Sequence, residues 1–353
     1  MTPDQMAEHI RLFYGPPMAA LSDSLRSFIV PAPGKDFIVA DYANIEGRGL
    51  AWLAGEDWKL DAFRAYDRGE GEDLYLIGAT RILTSLGKPP EVPLTKKSPE
   101  RQSYGKTPEL ACGFGGSIGA FHTMARNFNL AFTDKEAQSI VQGWRKAHPA
   151  TRQYWKDLET AAVEAVERPG EIRCAGALGR QIRFRKAGSF LWAQLPSGRC
   201  LCYPYPGLQD GYFARANEAD LADDEVAEVR KILRSEMEEY RKAGWDTWTM
   251  PVLTFMGVDG LTKAWTRMTT YGGSLCENVV SATCRDILAA AMKRLSKKSY
   301  DIAFTVHDEV VTEVPECYGS LDEMISLMCE LPDWAAGFPI TAEGYRAKRY
   351  RKG

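Results

Sequence analysis

The chain has no surplus of basic charge. Its 44 Lys and Arg stand against 47 Asp and Glu, a formal net charge of −3. No global field therefore advertises a nucleic-acid partner. Histidine is scarce, four in 353 residues, and none of the eight cysteines forms a C-x-x-C pair. Both facts weigh against a zinc centre. The scattered thiols read as buried or incidental cysteines in a reducing cytosol. No apolar run approaches the ~18 residues of a membrane span, and the opening "MTPDQMAEHIRLFYG" lacks a signal-peptide core. The expectation is a soluble chain in the cytoplasm, with no membrane partner. Repeats and low-complexity stretches are missing as well.

What is present is an ordinary globular composition, 45% hydrophobic and 26% charged. The length suits two or three domains, or one large fold with an insertion. Basic charge is local. "YRAKRYRKG" puts five basic residues in the last eight, and "GRQIRFRK" (Gly179 to Lys186) holds four in eight. On composition alone both read as solvated faces.

Residues 1–26 suggest one or two short helices. Two β-rich runs follow, "SFIV" and "DFIVADY", split by the turn signal Pro-Ala-Pro-Gly. Helical runs lead to a Pro- and Lys-rich loop, Lys88 to Glu100. "RQSYGKTPELACGFGGSIGAF" begins as a helix and ends in glycines, and residues 134–168 are strongly helical. Short β segments occupy 170–212 and a very charged helix 216–243. A long helix runs from near Ser274 to about Ser296. "DIAFTVHDEVVTEVP" reads as strand, tight corner, strand, before a terminal helix and a basic tail. Strand, many helices, strand pair predicts an α+β fold: one sheet interrupted by a large helical insertion.

Two aspartates stand out. Asp41 ends the apolar run Phe37 to Ala40; alone, such a residue is more often a helix N-cap. Asp308 sits at the corner of the second strand pair, between apolar runs, where an unpaired carboxylate is costly to bury. If the two strands are sheet neighbours, the carboxylates converge and repel unless a cation sits between them. Mg²⁺ prefers oxygen ligands and keeps waters and phosphate oxygens in its shell. Two such ions ~3.5–4 Å apart drive in-line phosphoryl transfer.

The motifs around these residues carry a resemblance. "DYANIEGRGLAWLAGE" resembles motif A of the family A (DNA polymerase I type) DNA polymerases, in their phage-encoded branch. "RQSYGKTPELACGFGG" is similar to their motif B and "VHDEVVTEVP" to their motif C. "LPSGRCLCYP" and "YGGSLCENVVSATCRDIL" also resemble phage members, and the match runs in the family's order from about Leu25 to the C-terminus. The resemblance implies template-directed addition of deoxynucleotides to a primer 3′ end. It implies an antiparallel-sheet palm over residues 1–56 and 270–353. Fingers over 57–269 would include the β-rich segment 170–212 and the charged helical segment 216–243. The implied cofactor is Mg²⁺, two ions, with Mn²⁺ as a substitute. The implied partners are primer-template DNA and dNTPs, in the bacterial host cytoplasm for a phage-encoded chain.

Roles carry over residue by residue. Asp41 and Asp308 match the metal-binding aspartates, with the Tyr42 carbonyl completing the shell. Glu46 matches the glutamate that closes the sugar pocket, where a side chain in the place of a 2′-hydroxyl penalises ribonucleotides. Arg48 is expected to pack or pair nearby. Lys106, Leu110 and Phe114 fall at i, i+4 and i+8 on one helix face. Lys106 would meet the triphosphate. Phe114 takes the place of a tyrosine that stacks near the nascent pair, and Gly115 would let a base approach the backbone. Leu110 stands where many members have an aromatic residue. His307 would touch the primer end and Glu309 would lie near the metals.

The pattern also departs from the family. An arginine is expected one turn before Lys106, but Gln102 has that spacing and Arg101 is five residues away. Either Arg101 reaches from a bent helix or its role is weakened. "KTPEL" allows Thr107 as an N-cap followed by Pro at the first helical position, or a kink at Pro108 in a longer helix. Ser281 replaces a glutamine that reaches the minor groove. A serine is too short for that contact, and its loss should weaken mismatch sensing. Arg267 is the candidate substitute or DNA contact. "DLE" (Asp157 to Glu159) has exonuclease-like spacing but lies on an amphipathic helix without the strand context, and is rejected. Motif A begins too early for a thumb ahead of it. The expectation is one piece of a split polymerase, with a separate polypeptide supplying thumb, exonuclease or both, or a chain that works alone with low processivity. The competing class is a catalytically weakened nucleic-acid-binding remnant or accessory subunit. A two-metal nuclease would share the carboxylates but leave the Lys-bearing helix unexplained.

Overall fold

From the N-terminus the elements are α1 (Pro3–Tyr14), α2 (Pro17–Ser24), β1 (Lys35–Tyr42), α3 (Ile45–Ala54), α4 (Asp57–Asp67) and α5 (Leu74–Ser85). A π-helical stretch, Arg101–Lys106, leads into α6 (Thr107–Cys112), α7 (Ile118–Asn127), α8 (Asp134–Ala147) and α9 (Pro149–Glu167). Next come β2 (Arg173–Ala175), β3 (Ile182–Ala187), β4 (Phe190–Gln194), β5 (Cys200–Pro204), β6 (Gly207–Arg215) and β7 (Arg230–Ile232). The rest is α10 (Met237–Lys242), β8 (Asp246–Val258), β9 (Trp265–Thr269), α11 (Gly272–Lys297), β10 (Asp301–Val306), β11 (Glu309–Pro315), α12 (Leu321–Cys329) and β12 (Ala342–Ala347). This computed structural model describes residues 2–216 and 229–351. It divides into two units. One is Met1–Ile45, Arg285–Pro332 and Ile340–Gly353; the other is Glu46–Cys284 and Asp333–Pro339.

The first unit is built on one antiparallel sheet in the order β10-β11-β1-β12. Strand periodicity of two sorts its side chains. Phe37 and Val39 of β1, with Val311 opposite Val39, form a buried cluster with Tyr350 on one face. Ile38, Ala40 and Tyr42 project from the other face, where Met324 and Met328 of α12 are fully buried. Thr312 is buried too, and its hydroxyl donates to the Ile38 carbonyl at 2.9 Å. This two-sided burial explains why β11 does not alternate as its sequence suggests.

The second unit holds two further antiparallel sheets, β2-β3-β4-β5 and β7-β6-β8-β9, together with most of the helices. Its helical core packs Ile82, Cys112, Phe121, Ile140, Val141 and Trp144. Three antiparallel sheets with segregated helices make the chain α+β, as the element order implies. No helix among the described residues is long and apolar enough to cross a membrane.

Several expectations need correction. "SFIV" is not a strand. Leu25–Phe28 winds as a 3₁₀ turn, and Pro31 and Pro33 beyond it lack the N–H a ladder needs. Of the charged helix at 216–243, residues 217–228 lie outside the described residues. The remainder is the strand β7, which pairs with β6, and the short α10. Ladder pairing there overrides a helix-forming composition. The basic tail is a solvated face only in part: Lys348, Arg349 and Arg351 are exposed, but its start, Tyr345–Ala347, belongs to β12, the edge strand beside β1. Arg346 pairs with Asp36 at 2.7 Å and donates to the carbonyls of Pro315, Glu316, Tyr318 and Gly319.

Candidate active site

In the first unit the strand registers bring the acids together. Asp41 lies directly opposite Glu309 on β11 and opposite Glu343 on β12. Opposed residues share a sheet face, so Glu309, Asp41 and Glu343 form a row of acids on one face. Asp308 belongs to the two-residue turn between β10 and β11, next to that row. Its partner in the turn, His307, has φ of +54°. Left-handed backbone at a non-glycine residue is a strained conformation, and histidine tolerates it better than most. A bulge between Ile302 and Phe304 of β10 lies just before it.

These residues line a cleft of about 450 Å³. Asp41, Asp308, Glu309, Glu343 and His307 all contribute, and Arg26 is the only Lys or Arg among the lining residues. Partial burial, the charges of Asp308 and Glu309, and a hydrogen bond shared with Asp308 push the Asp41 carboxyl up from 3.8 to about 6. Glu309 is buried and accepts a hydrogen bond from the Tyr350 hydroxyl. Burial and that carboxylate push the phenol up to about 12. Tyr42 points away: its hydroxyl donates to the Met328 carbonyl at 2.7 Å. Only its backbone carbonyl is therefore placed on the strand next to Asp41.

Among the described residues no three His, Cys, Asp or Glu side chains make a ready-formed metal cage. The set here is an all-oxygen one of repelling carboxylates beside a backbone carbonyl. That chemistry fits a hard divalent cation whose shell is completed by water or phosphate oxygens.

The other candidates lie in the second unit. Glu46, in the first turn of α3, accepts a hydrogen bond from the Ser281 hydroxyl of α11 at 2.8 Å. Arg48 is buried in a two-pronged pair with Asp67, at 2.6 and 2.7 Å, and lies over the Phe63 ring. Arg101 pairs with Asp73 at 2.7 Å and lies over Tyr75. Arg267 on β9 donates to Thr254 and to the Tyr205 carbonyl, so it is tied to its own sheet.

The motif B segment resolves the Pro108 alternatives in favour of a longer, distorted helix. The Thr107 N–H reaches back five residues to the Gln102 carbonyl. This π-winding widens the turn that precedes Pro108, which lacks a donor and would crowd an α-helical carbonyl. Lys106 is half-buried within that helical path, with its ammonium 5.4 Å from the centre of the Phe128 ring. Leu110 is 44% exposed. Phe114 does not share a continuous helix face with them, because α6 stops at Cys112 and Phe114 lies in the following turn. Side chains satisfy the carbonyls at that end: Trp155 donates to Gly113 and Arg145 to Gly116. Gly115 has φ of +80°. A Cβ at Gly273, at the start of α11, would stand 2.2 Å from the Phe114 carbonyl.

Arg26, Glu343, Tyr345 and Tyr350 were not singled out from sequence. The available signal was the strand-like "TAEGYRA" inside a tail whose basic residues dominated its reading.

The chain is 32% identical over 345 residues to the DNA polymerase of Bacillus phage SP02, covering 98% of this chain and 46% of that one. It thus spans about half of that relative's length. Among solved structures it is similar to the POL domain of Pol1 from M. smegmatis, in complex with DNA primer-template and dNTP. The TM-score is 0.52 at 16% identity, over 92% of this chain and 42% of that one. At that identity the likeness speaks for the fold alone. No protein-family profile matches the chain.

Proposed function

This chain is a homologue of a phage DNA polymerase and belongs to the family A (DNA polymerase I type) DNA polymerases, and we propose that it is a palm-and-fingers core that adds deoxynucleotides to a primer 3′ end as a template directs. In this reading the sheet of the first unit is the palm and the second unit supplies the fingers. The observation that carries it is the acid set at one end of β1 and β11. Asp41 faces Glu309 across the ladder, shares a hydrogen bond with Asp308, and holds its proton up to about pH 6. Such a set is unfavourable by itself and favourable around a hard cation.

Asp41, Asp308 and the Tyr42 carbonyl would hold Mg²⁺, two ions in this proposal, with Mn²⁺ as a substitute. Bound there, the ions would lower the pKa of the attacking primer hydroxyl and offset charge on the leaving oxygens. The residues themselves supply placement. The β1–β11 ladder fixes the spacing of the two aspartates, and the Tyr42–Met328 bond anchors the strand end. Tyr350 keeps Glu309 in place. His307, on the exposed turn, would meet the primer end. Lys106 and Arg101 would bind triphosphate, Arg101 by exchanging Asp73 for phosphate. Leu110, Phe114 and Gly115 would pack near the nascent pair, Glu46 would exclude the 2′-hydroxyl, and Arg267 would contact DNA. Primer-template and dNTPs are the proposed partners. A polypeptide supplying thumb, exonuclease or both is a further proposed partner.

The test is Mg²⁺-dependent dNTP addition to a primed template by the wild type, Asp41→Ala and Asp308→Ala. Both variants should lose nearly all activity while keeping the wild-type circular dichroism spectrum. A wild-type rate in either would overturn the assignment.

A further inference from the structure

We propose that Ser281 is a positioning residue for Glu46, and that its hydroxyl sets how strictly the sugar of the incoming nucleotide is screened. The inference rests on the reading of Glu46 as the residue that excludes a 2′-hydroxyl. A hydroxyl in a helix ordinarily bonds back to the carbonyl four residues earlier. Thr283, on the same helix, does so, donating to Val279 at 2.6 Å. Ser281 instead reaches across to α3 and donates to Glu46 Oε1 at 2.8 Å.

The approach of the two helices is built into their facing residues. Glu46 and Gly49 are three apart and share a face of α3. Val280, Ser281 and Cys284 share the facing side of α11. A Cβ at Gly49 would stand 2.8 Å from Cys284 Sγ and 3.5 Å from Val280. Only glycine lets α3 come this close, and at this separation a side chain as short as serine spans the gap. Glu46 is exposed, on a helix surface where a free carboxylate samples several rotamers. A gate that swings aside excludes nothing. One hydrogen bond to a charged oxygen narrows those rotamers and leaves the second carboxylate oxygen unused by Ser281.

Single-nucleotide incorporation tests this, read as the ratio of kcat/KM for a dNTP to that for the matching rNTP. Ser281→Ala should lower the ratio about threefold to tenfold, the range of an ordinary hydrogen bond, since solvent at this exposed site weakens a bond to charge. Ser281→Thr, which keeps the hydroxyl, should stay within about twofold of wild type. In a Glu46→Ala background, adding Ser281→Ala should change nothing further, because the two residues act as one unit. If Glu46→Ala lowers the ratio and Ser281→Ala does not, the positioning role fails while the gate stands. The role also fails if Ser281→Ala has its full effect in the absence of Glu46, or if it weakens primer-template binding without touching sugar selection. An unchanged ratio in Glu46→Ala removes the gate itself, and this inference with it.

Discussion

Replacing Lys59 by methionine should expose how α6, which carries Leu110 and follows directly on Lys106, is anchored. Lys59 on α4 is 1% exposed and its ammonium pairs with Glu109 on α6. The Trp144 indole N–H donates to the second carboxylate oxygen at 3.0 Å. His148 stacks on Trp144, with centroids 4.0 Å apart, and its Nδ1 lies 2.8 Å from the Trp144 carbonyl. That contact puts the ring proton on Nδ1. Nε2 stands 3.6 Å from Glu109 and has no hydrogen-bond partner among the described residues. Burial and the charge of Lys59 hold the imidazole down to about 4. Burial would push Glu109 up, but Lys59 and His148 outweigh it and bring it down to about 2. Without Lys59 a buried carboxylate keeps one indole donor, which should cost about 3–5 kcal/mol at pH 8.

The cost should shrink in acid. In the wild type both folded pKa values lie below their unfolded ones. Stability is complete above pH ~6.5 and falls as the pH drops, first because unfolded chains take a proton on His148. At pH 5 that loss is about 2 kcal/mol. In the variant the burial of His148 remains but the repulsion from Lys59 is gone, so Nε2 takes a proton more readily and can donate toward Glu109, and part of the loss disappears. Urea unfolding followed by tryptophan fluorescence should therefore show a smaller penalty at pH 5 than at pH 8, by up to about 2 kcal/mol. A penalty below about 1 kcal/mol at pH 8, or the same penalty at both pH values, would refute the account.

Two further outcomes follow from single residues. Asp41 has its folded pKa raised from 3.8 to about 6, so ionising it opposes folding as the pH rises through that window. The full shift corresponds to about 3 kcal/mol, and solvent screening at this half-open site reduces it to about 1 kcal/mol. Asp41→Asn should then be more stable than wild type at pH 8 and equal at pH 4, with Mg²⁺ closing the gap at pH 8; a variant less stable at pH 8 in thermal melts contradicts this. Gly105→Ala should destabilise the chain by about 1–3 kcal/mol, since its Cβ would meet the Tyr75 carbonyl oxygen at 2.1 Å, and an unchanged melting temperature would show that the π-helical stretch moves freely against α5.

What could be read from the sequence follows from how local each signal is. β1 and β11 are apolar runs broken by single acids, and their pairing needs only antiparallel register, so Asp41 and Asp308 were legible as a pair. The π-winding before Pro108 was visible only as a conflict: a proline four residues after Tyr104 in a helical pattern has more than one solution. β12 was missed because it runs directly into a basic tail whose exposed Lys348 and Arg349 dominate the reading. Arg346 and Lys348 both pair with Asp36 at 2.7 Å. Charge at the surface here also fastens a strand. Ser281 was legible as a departure, but its partner Glu46 is 235 residues away, and no local pattern joins them.

The two ends of β1 differ in how their acids are balanced, and the difference supports the proposed cation. At the start of the strand each acid has a basic partner. Asp36 has Arg346 and Lys348, and on the neighbouring strand Glu313 has Lys35 at 3.0 Å. In the second unit Glu109, Asp67 and Asp73 are likewise matched by Lys59, Arg48 and Arg101. At the far end of β1 the same three strands set Asp41 between Glu309 and Glu343. Like charges directly opposite in a ladder weaken it. The apolar packing of Phe37, Val39, Val311 and Tyr350 one step behind holds the register all the same. The ladder cannot slip to relieve the repulsion, because a one-residue shift would turn that cluster to the other face. Repulsion that cannot be relieved by movement is relieved by a proton, as the raised pKa of Asp41 records, or by a bound cation. At neutral pH, above the Asp41 pKa, the ionised set carries that repulsion as a cost, and the proposed divalent cation would remove it, with the rigidity of the sheet favouring its binding.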